Sequence, residues 1–163
     1  MSADTSAIDL SYYIIKQAHI KGIKEVSNKK LQKLLYYTQS WTLVFHNRKA
    51  FSDDIEAWIH GPAVPSVYRE FKEFAFNPIP SSVIENHNII DIDKEVASVV
   101  DDILTVYGKY DADYLEALTH TEQPWQDARE GYKPFEISQA IISPDSIKKY
   151  YGQKLKESQK SQN

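Results

Sequence analysis

Apolar residues recur at intervals of three and four along most of this 163-residue chain. The clearest example runs from residue 92 to residue 107, where seven apolar side chains are separated by 4, 3, 1, 3, 1 and 3 positions. An α-helix turns once in about 3.6 residues, so these intervals place the seven side chains on one face. The pattern predicts an amphipathic helix, and its recurrence elsewhere predicts a mainly α protein.

Cap and breaker residues divide the rest of the chain. Helices are predicted at residues 7–20, after Ser27, from Pro65 to residue 74, and at residues 111–118, 124–129 and 143–155. The helix after Ser27 has an apolar stripe too wide for a surface helix, so we expect it to be central. Gly108 is predicted to end the helix of residues 92–107 as a left-handed cap. Residues 77–88 are predicted to form a loop.

Between residues 49 and 60 the apolar residues alternate with other residues, which predicts a short strand or β-hairpin that Gly61 and Pro62 terminate. The expected fold is a compact bundle of about six to seven helices with this strand or hairpin. Residues 1–157 are expected to form a single domain, and the polar residues 158–163 a frayed tail.

Composition excludes several classes of protein. The chain has no cysteine, which removes disulfides, thiol nucleophiles and thiolate metal sites. Its five glycines are isolated, so no phosphate-binding loop or dinucleotide fingerprint can be written. Neither a signal peptide nor a membrane-spanning stretch is recognisable. We therefore expect a cytoplasmic protein with no cofactor, no bound metal and no membrane partner.

Charge is distributed unevenly around a net value of −4. Residues 16–33 contain six lysines and one acid, whereas residues 85–130 contain twelve acids and three basic residues. These segments predict either two solvated helix faces or a dipolar surface that orients a partner. Lys29, Lys30 and Lys33 near Tyr36 and Tyr37 also allow a nucleic-acid-binding autorepressor, although the acidic chain argues against nucleic acid as the partner.

Three dense polar and aromatic segments remain. The first contains Lys33, Tyr36 and Tyr37. The second comprises Glu56, Trp58, His60, Gly61 and Pro62, followed by Pro65 and Tyr68. The third comprises Thr119, His120, Pro124, Trp125 and Arg129. A small enzyme that uses His60 and His120 with Glu56 and Glu122 is an alternative, and it requires these groups to converge in one pocket.

In their order and spacing these segments resemble the Panacea family, which comprises SocA-like antitoxins and phage-associated GepA-type proteins. The resemblance covers residues 8–152 and includes Tyr150 and Tyr151. The motifs A-W-x-x-G-P and T-H-x-x-x-P-W together are specific. Ala63 departs from the pattern, because the family usually has a second β-branched residue there, which alters the local pocket.

The resemblance implies a mostly helical antitoxin of a toxin–antitoxin pair, associated with a prophage or mobile element and without enzymatic activity. Its partner is then a cognate toxin encoded beside it. The resemblance specifies neither the toxin nor the oligomeric state. The fifteen motif residues are expected to serve as scaffold or as partner-binding surface.

We also predict that Trp58, His60, Gly61 and Pro62 pack against residues 119–125, because a tryptophan is too large to leave exposed without cause. Trp58→Ala or Trp125→Ala is then expected to unfold the protein. Substitutions at Lys24, Lys29 and Lys30 are expected to leave the fold intact.

Overall fold

A computed structural model of the chain describes residues 5–161. Within this range the chain forms eight α-helices, one 3₁₀ turn and a two-stranded antiparallel sheet. The helices are α1 Ala7–Ile20, α2 Asn28–His46, α3 Pro65–Glu70, α4 Ser82–Glu85, α5 Lys94–Tyr107, α6 Ala112–His120, α7 Gln123–Ala128 and α8 Pro144–Ser161. The strands are β1 Glu56–Trp58 and β2 Gly61–Ala63, and the 3₁₀ turn is Lys72–Phe74. The mainly α fold with a short hairpin is confirmed.

Helix α2 is the central element, as its wide apolar stripe predicts. Every residue from 30 to 40 is buried, polar ones included. The helix packs against α1, α3, α5, α6, α8 and β2. Its apolar members, among them Leu31, Leu34 and Leu35, form the middle of the core. A helix covered on all sides can stay folded only if its buried polar side chains find hydrogen-bond partners.

Local cap signals set the helix boundaries that the sequence predicts. The Ser27 side chain accepts a hydrogen bond from the Lys30 amide at 3.2 Å, and Asp111 accepts one from the Tyr114 amide at 2.7 Å. Each bond satisfies an amide that has no partner within the first helical turn. Pro65 occupies the first position of α3, where its missing N–H costs nothing. These predicted starts are confirmed.

The hairpin lies slightly later than predicted, because Gly61 and Pro62 begin β2 instead of ending the strand region. Pro62 pairs with Ala57, and Gly61 with Trp58. Gly61 adopts φ +105°, a conformation that glycine takes without steric cost, and this allows the tight reversal after Trp58. Proline is tolerated in β2 because this strand has only one neighbour in the sheet.

Gly108 ends α5 without a left-handed cap, so that prediction is wrong. Its backbone has φ −62° and ψ −26°, in the right-handed region. The requirement for glycine comes from packing: an added Cβ would lie 2.6 Å from Cδ1 of Ile23 and against the Leu104 carbonyl. The Lys30 ammonium also donates a hydrogen bond to the Gly108 carbonyl at 2.7 Å.

Two further segments differ from the expectation. The helix expected from Pro65 to residue 74 divides into α3 and the 3₁₀ turn. The predicted loop of residues 77–88 contains the one-turn helix α4, which is too short to produce a periodic pattern. Helix α8 continues to Ser161, through residues 158–161 of the expected tail, and residues 162–163 lie outside the described range. The domain boundary at residue 157 stays a prediction.

Gln39→Ala tests how α2 holds the chain beyond its own end. The Gln39 side-chain oxygen accepts from the amides of Ala50 (2.7 Å) and Phe51 (3.2 Å), and its nitrogen donates to the Phe51 carbonyl at 3.0 Å. Truncation leaves three buried backbone groups unpaired, and each costs about 1–3 kcal/mol. We expect a loss of about 3 kcal/mol or more in urea unfolding. Gln153→Ala, at an exposed position of α8, is the control and should change stability by less than about 0.5 kcal/mol. Equal losses would contradict this role.

Candidate functional site

The three motif segments meet around Lys33. This side chain is 2% exposed, and its ammonium donates a hydrogen bond to the Pro62 carbonyl at 3.1 Å. Gly61 fits beside it because it lacks a side chain: a Cβ there would lie 2.7 Å from Cε of Lys33 and 2.9 Å from Oγ1 of Thr119. One residue from each motif therefore contributes to a single close contact.

Burial also determines the charge of Lys33. Removal from water lowers the pKa of its ammonium to about 7, with Glu116 acting in the opposite direction. Near neutral pH a large fraction of Lys33 is therefore an uncharged amine. An uncharged amine still donates to the Pro62 carbonyl, and it avoids the full cost of a buried charge.

The third motif holds β1 through its backbone. The indole N–H of Trp125 donates to the Trp58 carbonyl at 2.8 Å, and the Arg129 guanidinium donates to the Ala57 carbonyl at 3.0 Å. His120 stacks on Trp125 with ring centroids 4.0 Å apart. The predicted packing of residues 58–62 against residues 119–125 is therefore confirmed, and Trp125 makes its contact with Trp58 through a backbone hydrogen bond.

The Trp58 ring itself faces outward. Strand β1 alternates, with Ala57 buried and Glu56 and Trp58 half-buried. The indole N–H of Trp58 donates to Glu56 at 2.8 Å, and the ring makes an edge contact with Tyr68 at 5.2 Å. Since the indole is not enclosed, the expected unfolding of Trp58→Ala stays a prediction, and an outward role becomes possible.

A buried tyrosine cluster lies one turn further along the same face of α2, since Tyr36 and Tyr37 follow Lys33 by three and four positions. Tyr37 donates to the Glu122 carboxylate at 2.6 Å, and Tyr151 lies 3.1 Å from both that carboxylate and the Tyr36 hydroxyl. Burial raises the pKa of Glu122, and the two tyrosine hydrogen bonds oppose this shift. Burial also raises the pKa of Tyr107, which stacks on Tyr37, to about 12. The cluster connects α2 and α8 to the start of α7.

A cavity of about 480 Å³ opens over the outward face of the hairpin. Trp58, His60 and Tyr68 from the second motif line it, and Lys33 closes one side. The strongly exposed Phe76 stands at its rim. We call this surface, formed by Trp58, His60, Tyr68 and Phe76, the hairpin cavity.

The fifteen motif residues divide by exposure. Most are enclosed, and only His60 and Tyr68 are exposed. The buried members are Lys33, Tyr36, Tyr37, Gly61, Pro62, Thr119, Pro124 and Arg129, and the half-buried ones are Glu56, Trp58, Pro65, His120 and Trp125. The eight buried residues thus belong to the interior of the fold, whereas Trp58, His60 and Tyr68 are the more exposed motif residues that line the hairpin cavity.

The four groups named by the enzyme alternative do not all converge. His60 and His120 both lie near Glu116, with His60 at 3.3 Å from it. Glu122 instead contacts the tyrosine cluster, and Glu56 contacts Trp58. His120 stacks on Trp125, and burial lowers its pKa. Among residues 5–161 no group of three or more His, Asp or Glu side chains is arranged to hold a metal ion.

The lysines required for phosphate binding are already engaged. Lys29 pairs with Asp113 at 2.8 Å and with Glu116, and Lys30 is buried against the Gly108 carbonyl. Substitution at Lys30 was expected to leave the fold intact, and its burial contradicts that expectation. Parts of the basic and acidic segments thus pair with each other at the surface, as Lys21 and Asp101 also do at 3.6 Å.

Sequence reasoning missed several members of the site. Gln32 accepts a hydrogen bond from the Val64 amide at 2.7 Å and Tyr107 completes the tyrosine cluster, and both occupy positions typical of ordinary helix. Phe76 lies between the helix predicted to end at residue 74 and the loop predicted at residues 77–88, so neither prediction included it. The local feature in the sequence is an aromatic residue between Ala75 and Asn77, outside any apolar periodic pattern.

Comparison with known proteins gives one family. The family model described as "Antitoxin SocA-like, Panacea domain" matches residues 31–126. Antitoxin SocA of Caulobacter vibrioides (strain NA1000 / CB15N) is 31% identical over 109 residues, which cover 61% of this chain and 58% of that relative. The match therefore spans less than two thirds of the relative's length. No solved structure is significantly similar to the chain. In the described part of the chain, no helix is long and apolar enough to cross a membrane.

Gly61→Ala tests the contact between the motifs. The substitution adds backbone strain at φ +105° and a clash with Lys33 and Thr119, for a total of about 3 kcal/mol. Gly22→Ala is the matched control, because Gly22 has φ +78° with nothing within 4 Å, so only the strain of about 1 kcal/mol applies. Thermal and urea unfolding of both variants measure the difference. Equal destabilisation of the two variants would show that close packing of Gly61 against Lys33 does not contribute to stability.

Lys33→Met tests the charge state of the buried lysine. The folded-state pKa of about 7 lies below the ordinary 10.5, so between these values the unfolded chain binds more protons than the folded one. The contribution of Lys33 to the unfolding free energy therefore rises with pH above about 7, by up to about 1.4 kcal/mol per pH unit. We expect wild type to gain stability relative to Lys33→Met between pH 7 and pH 9. The exposed Lys24→Met variant should follow wild type, and parallel curves for Lys33→Met would refute the assignment.

Proposed function

Because the chain belongs to the family of SocA-like antitoxins with a Panacea domain, we propose that it is an antitoxin that neutralises a protein toxin by direct binding. The proposal rests on the family match together with the half-length similarity to Antitoxin SocA. The expected toxin is encoded beside it. Association with a prophage or mobile element and a cytoplasmic location stay predictions of the sequence.

The hairpin cavity is the surface that supports binding best. It combines aromatic side chains with a concave surface, the combination found at energetic centres of protein interfaces. Phe76 is 93% exposed and Tyr68 38% exposed, although both are large enough to stabilise a core. A rigid scaffold lies beneath them, so their burial by a partner requires little ordering of the hairpin.

Backbone strain next to Phe76 supports the same surface. Ala75 adopts φ 51° and ψ −121°, outside the left-handed region that non-glycine residues sometimes enter. Such a conformation costs about 1–3 kcal/mol and persists where the surroundings impose it, most often at binding sites. Here it follows the 3₁₀ turn and precedes the most exposed aromatic ring of the described chain. The strain is consistent with a side chain positioned for a partner.

The proposal includes no catalytic step. The two carboxylates of the enzyme alternative, Glu56 and Glu122, contact Trp58 and the tyrosine cluster instead of the two histidines. The lysines of the nucleic-acid alternative are paired or buried. Neutralisation by binding requires a surface that a partner can cover, and the hairpin cavity is a concave one with exposed aromatic side chains. The fold and the family therefore favour protein binding over both alternatives.

Tyr68→Ala and Phe76→Ala test the proposal. Co-expression with the adjacent gene product should relieve its toxicity and give a complex that co-purifies. Each substitution removes exposed aromatic area and leaves the core unchanged, so we expect folded protein with at least about tenfold weaker toxin binding, or about 1.4 kcal/mol. Isothermal titration calorimetry and growth rescue provide the readouts.

Val106→Ala is the matched control. Val106 is 53% exposed and lines a separate groove of about 500 Å³ between α2, α5 and α8, which contains none of the fifteen motif residues. This variant should bind toxin as wild type does. A harmless neighbouring product with no co-purifying protein would refute the antitoxin role. Loss of binding in Val106→Ala alone would move the interface to the other groove.

A further inference from the structure

Residues 137–142, which we call the edge segment, lengthen the hairpin sheet on the far side of β1. The Ala57 amide donates to the Ala140 carbonyl, and the Ile142 amide donates to the Ile55 carbonyl, both at 2.8 Å. These two bonds flank an antiparallel bridge between Glu56 and Ile141. The edge segment is therefore bridged to the free side of β1 at this point, and β1 lies between it and β2.

The outer side of the edge segment is open. Residues that bond inward alternate along a strand with residues that bond outward. By this alternation Ile137, Gln139 and Ile141 are the outward ones, and within residues 5–161 their backbone N–H and C=O groups have no hydrogen-bond partner. Exposure alternates in the same way: Ile137 and Ile141 are 80% and 53% exposed, whereas Ser138 and Ile142 are buried.

The edge segment lacks the features that normally prevent strand pairing. Exposed edges in soluble proteins usually contain a lysine, a proline or a bulge, because an open row of backbone groups attracts another strand. Residues 137–142 read Ile-Ser-Gln-Ala-Ile-Ile, with no charge and no proline. An unprotected, isoleucine-rich edge of this kind is typical of a strand that another strand covers.

Its sequence is self-complementary. Around Gln139 the residue types are symmetric, with a small residue on each side at 138 and 140 and an isoleucine beyond each at 137 and 141. In an antiparallel pair with two-fold symmetry about Gln139, Ile137 faces the partner's Ile141. Residues 137, 139 and 141 all point their backbone groups outward, so all three positions form hydrogen-bonded pairs in this register.

We propose that the edge segment pairs with the edge segment of a second copy of this chain, antiparallel and centred on Gln139. The pairing joins the hairpins of two copies, each extended by its edge segment, into one continuous sheet. It covers both exposed isoleucines on each copy with apolar cross-strand contacts. This inference does not depend on the antitoxin role.

A shallow groove next to the strand provides further contact. It has a volume of about 260 Å³ and is lined by Trp58, Ile59, His60 and the first three residues of the edge segment. The partner's Ile141 lies opposite Ile137 in the proposed register and so reaches this groove. The strand and groove together form a small interface, so we expect a dimer that dissociates at low concentration.

Disulfide trapping tests the register, because the chain has no natural cysteine. Directly opposed residues of a hydrogen-bonded antiparallel pair have Cα atoms about 5.5 Å apart, within the range of about 4.4–6.8 Å that a disulfide spans. Gln139→Cys should therefore give a covalent dimer of twice 18.8 kDa under mild oxidation. In Ile137→Cys the two cysteines are about 13 Å apart, four strand positions, and should not cross-link. Equal cross-linking of both variants, or of neither, would overturn the proposal.

Gln139→Pro tests the ladder without cysteine chemistry. Proline removes an outward N–H that has no internal partner, so the fold should persist, as circular dichroism would confirm. In analytical ultracentrifugation from about 5 to about 500 µM, wild type should shift from monomer to dimer and Gln139→Pro should remain monomeric. Phe135→Ser, at an 87% exposed site outside the segment, should behave as wild type. A dimer that survives Gln139→Pro would overturn the proposal. A monomeric wild type would overturn it too. If Gln139→Pro then also abolished toxin binding, the edge segment would pair with a strand of the toxin, and the antitoxin role would stand.

Discussion

The structure depends on the burial of polar side chains along α2. A helix enclosed on all sides would ordinarily be apolar throughout, yet this one buries Lys30, Gln32, Lys33 and Gln39. Each of these side chains bonds to backbone outside the helix, at residues 108, 64, 62 and 50–51. Because an unpaired buried polar group is expensive, each bond restricts one segment to one position. The hairpin, which is too short to be stable alone, takes its place from two of them.

The elements that sequence predicted well are those whose signals are local. Helix α1 and the starts of α2, α6 and α8 follow from apolar spacing and from cap residues that bond within three positions. The burial of Lys30 could not be predicted from such local signals. A lysine three positions before Lys33 is typical of a solvated helix face, and only the distant Gly108 carbonyl makes its burial tolerable. Gly108 was misread for the same reason, since its requirement comes from Ile23 and not from its own backbone angles.

The candidate site shows the same division. The motif spacing indicated that residues 58–62 and 119–125 belong together, and the bond from Trp125 to the Trp58 carbonyl joins them. The motif spacing could not show towards which side of the hairpin the Trp58 side chain points. The period of two along β1 turns Trp58 outward while Ala57 enters the core, and a three-residue strand is too short for that alternation to be read in advance. Phe76 likewise takes its exposure from the unusual backbone of Ala75, which no sequence pattern indicates.

Trp58 and His60 connect the two surfaces that the hairpin presents. Both line the hairpin cavity, where the toxin is proposed to bind, and both line the groove beside the edge segment. A partner on one side therefore contacts side chains whose positions matter to the other. Trp125 and Arg129 hydrogen-bond to the β1 carbonyls and so hold its backbone in place. If the two partners require different arrangements of this surface, the side chains of Trp58 and His60 are the groups that move. Where occupation of one such site changes the binding free energy at the other, the change is reciprocal. If self-association moves Trp58, it changes affinity for the toxin by the same factor by which the toxin changes self-association. A hairpin two strands wide thus provides a route by which the concentration of this protein adjusts its own affinity for a partner.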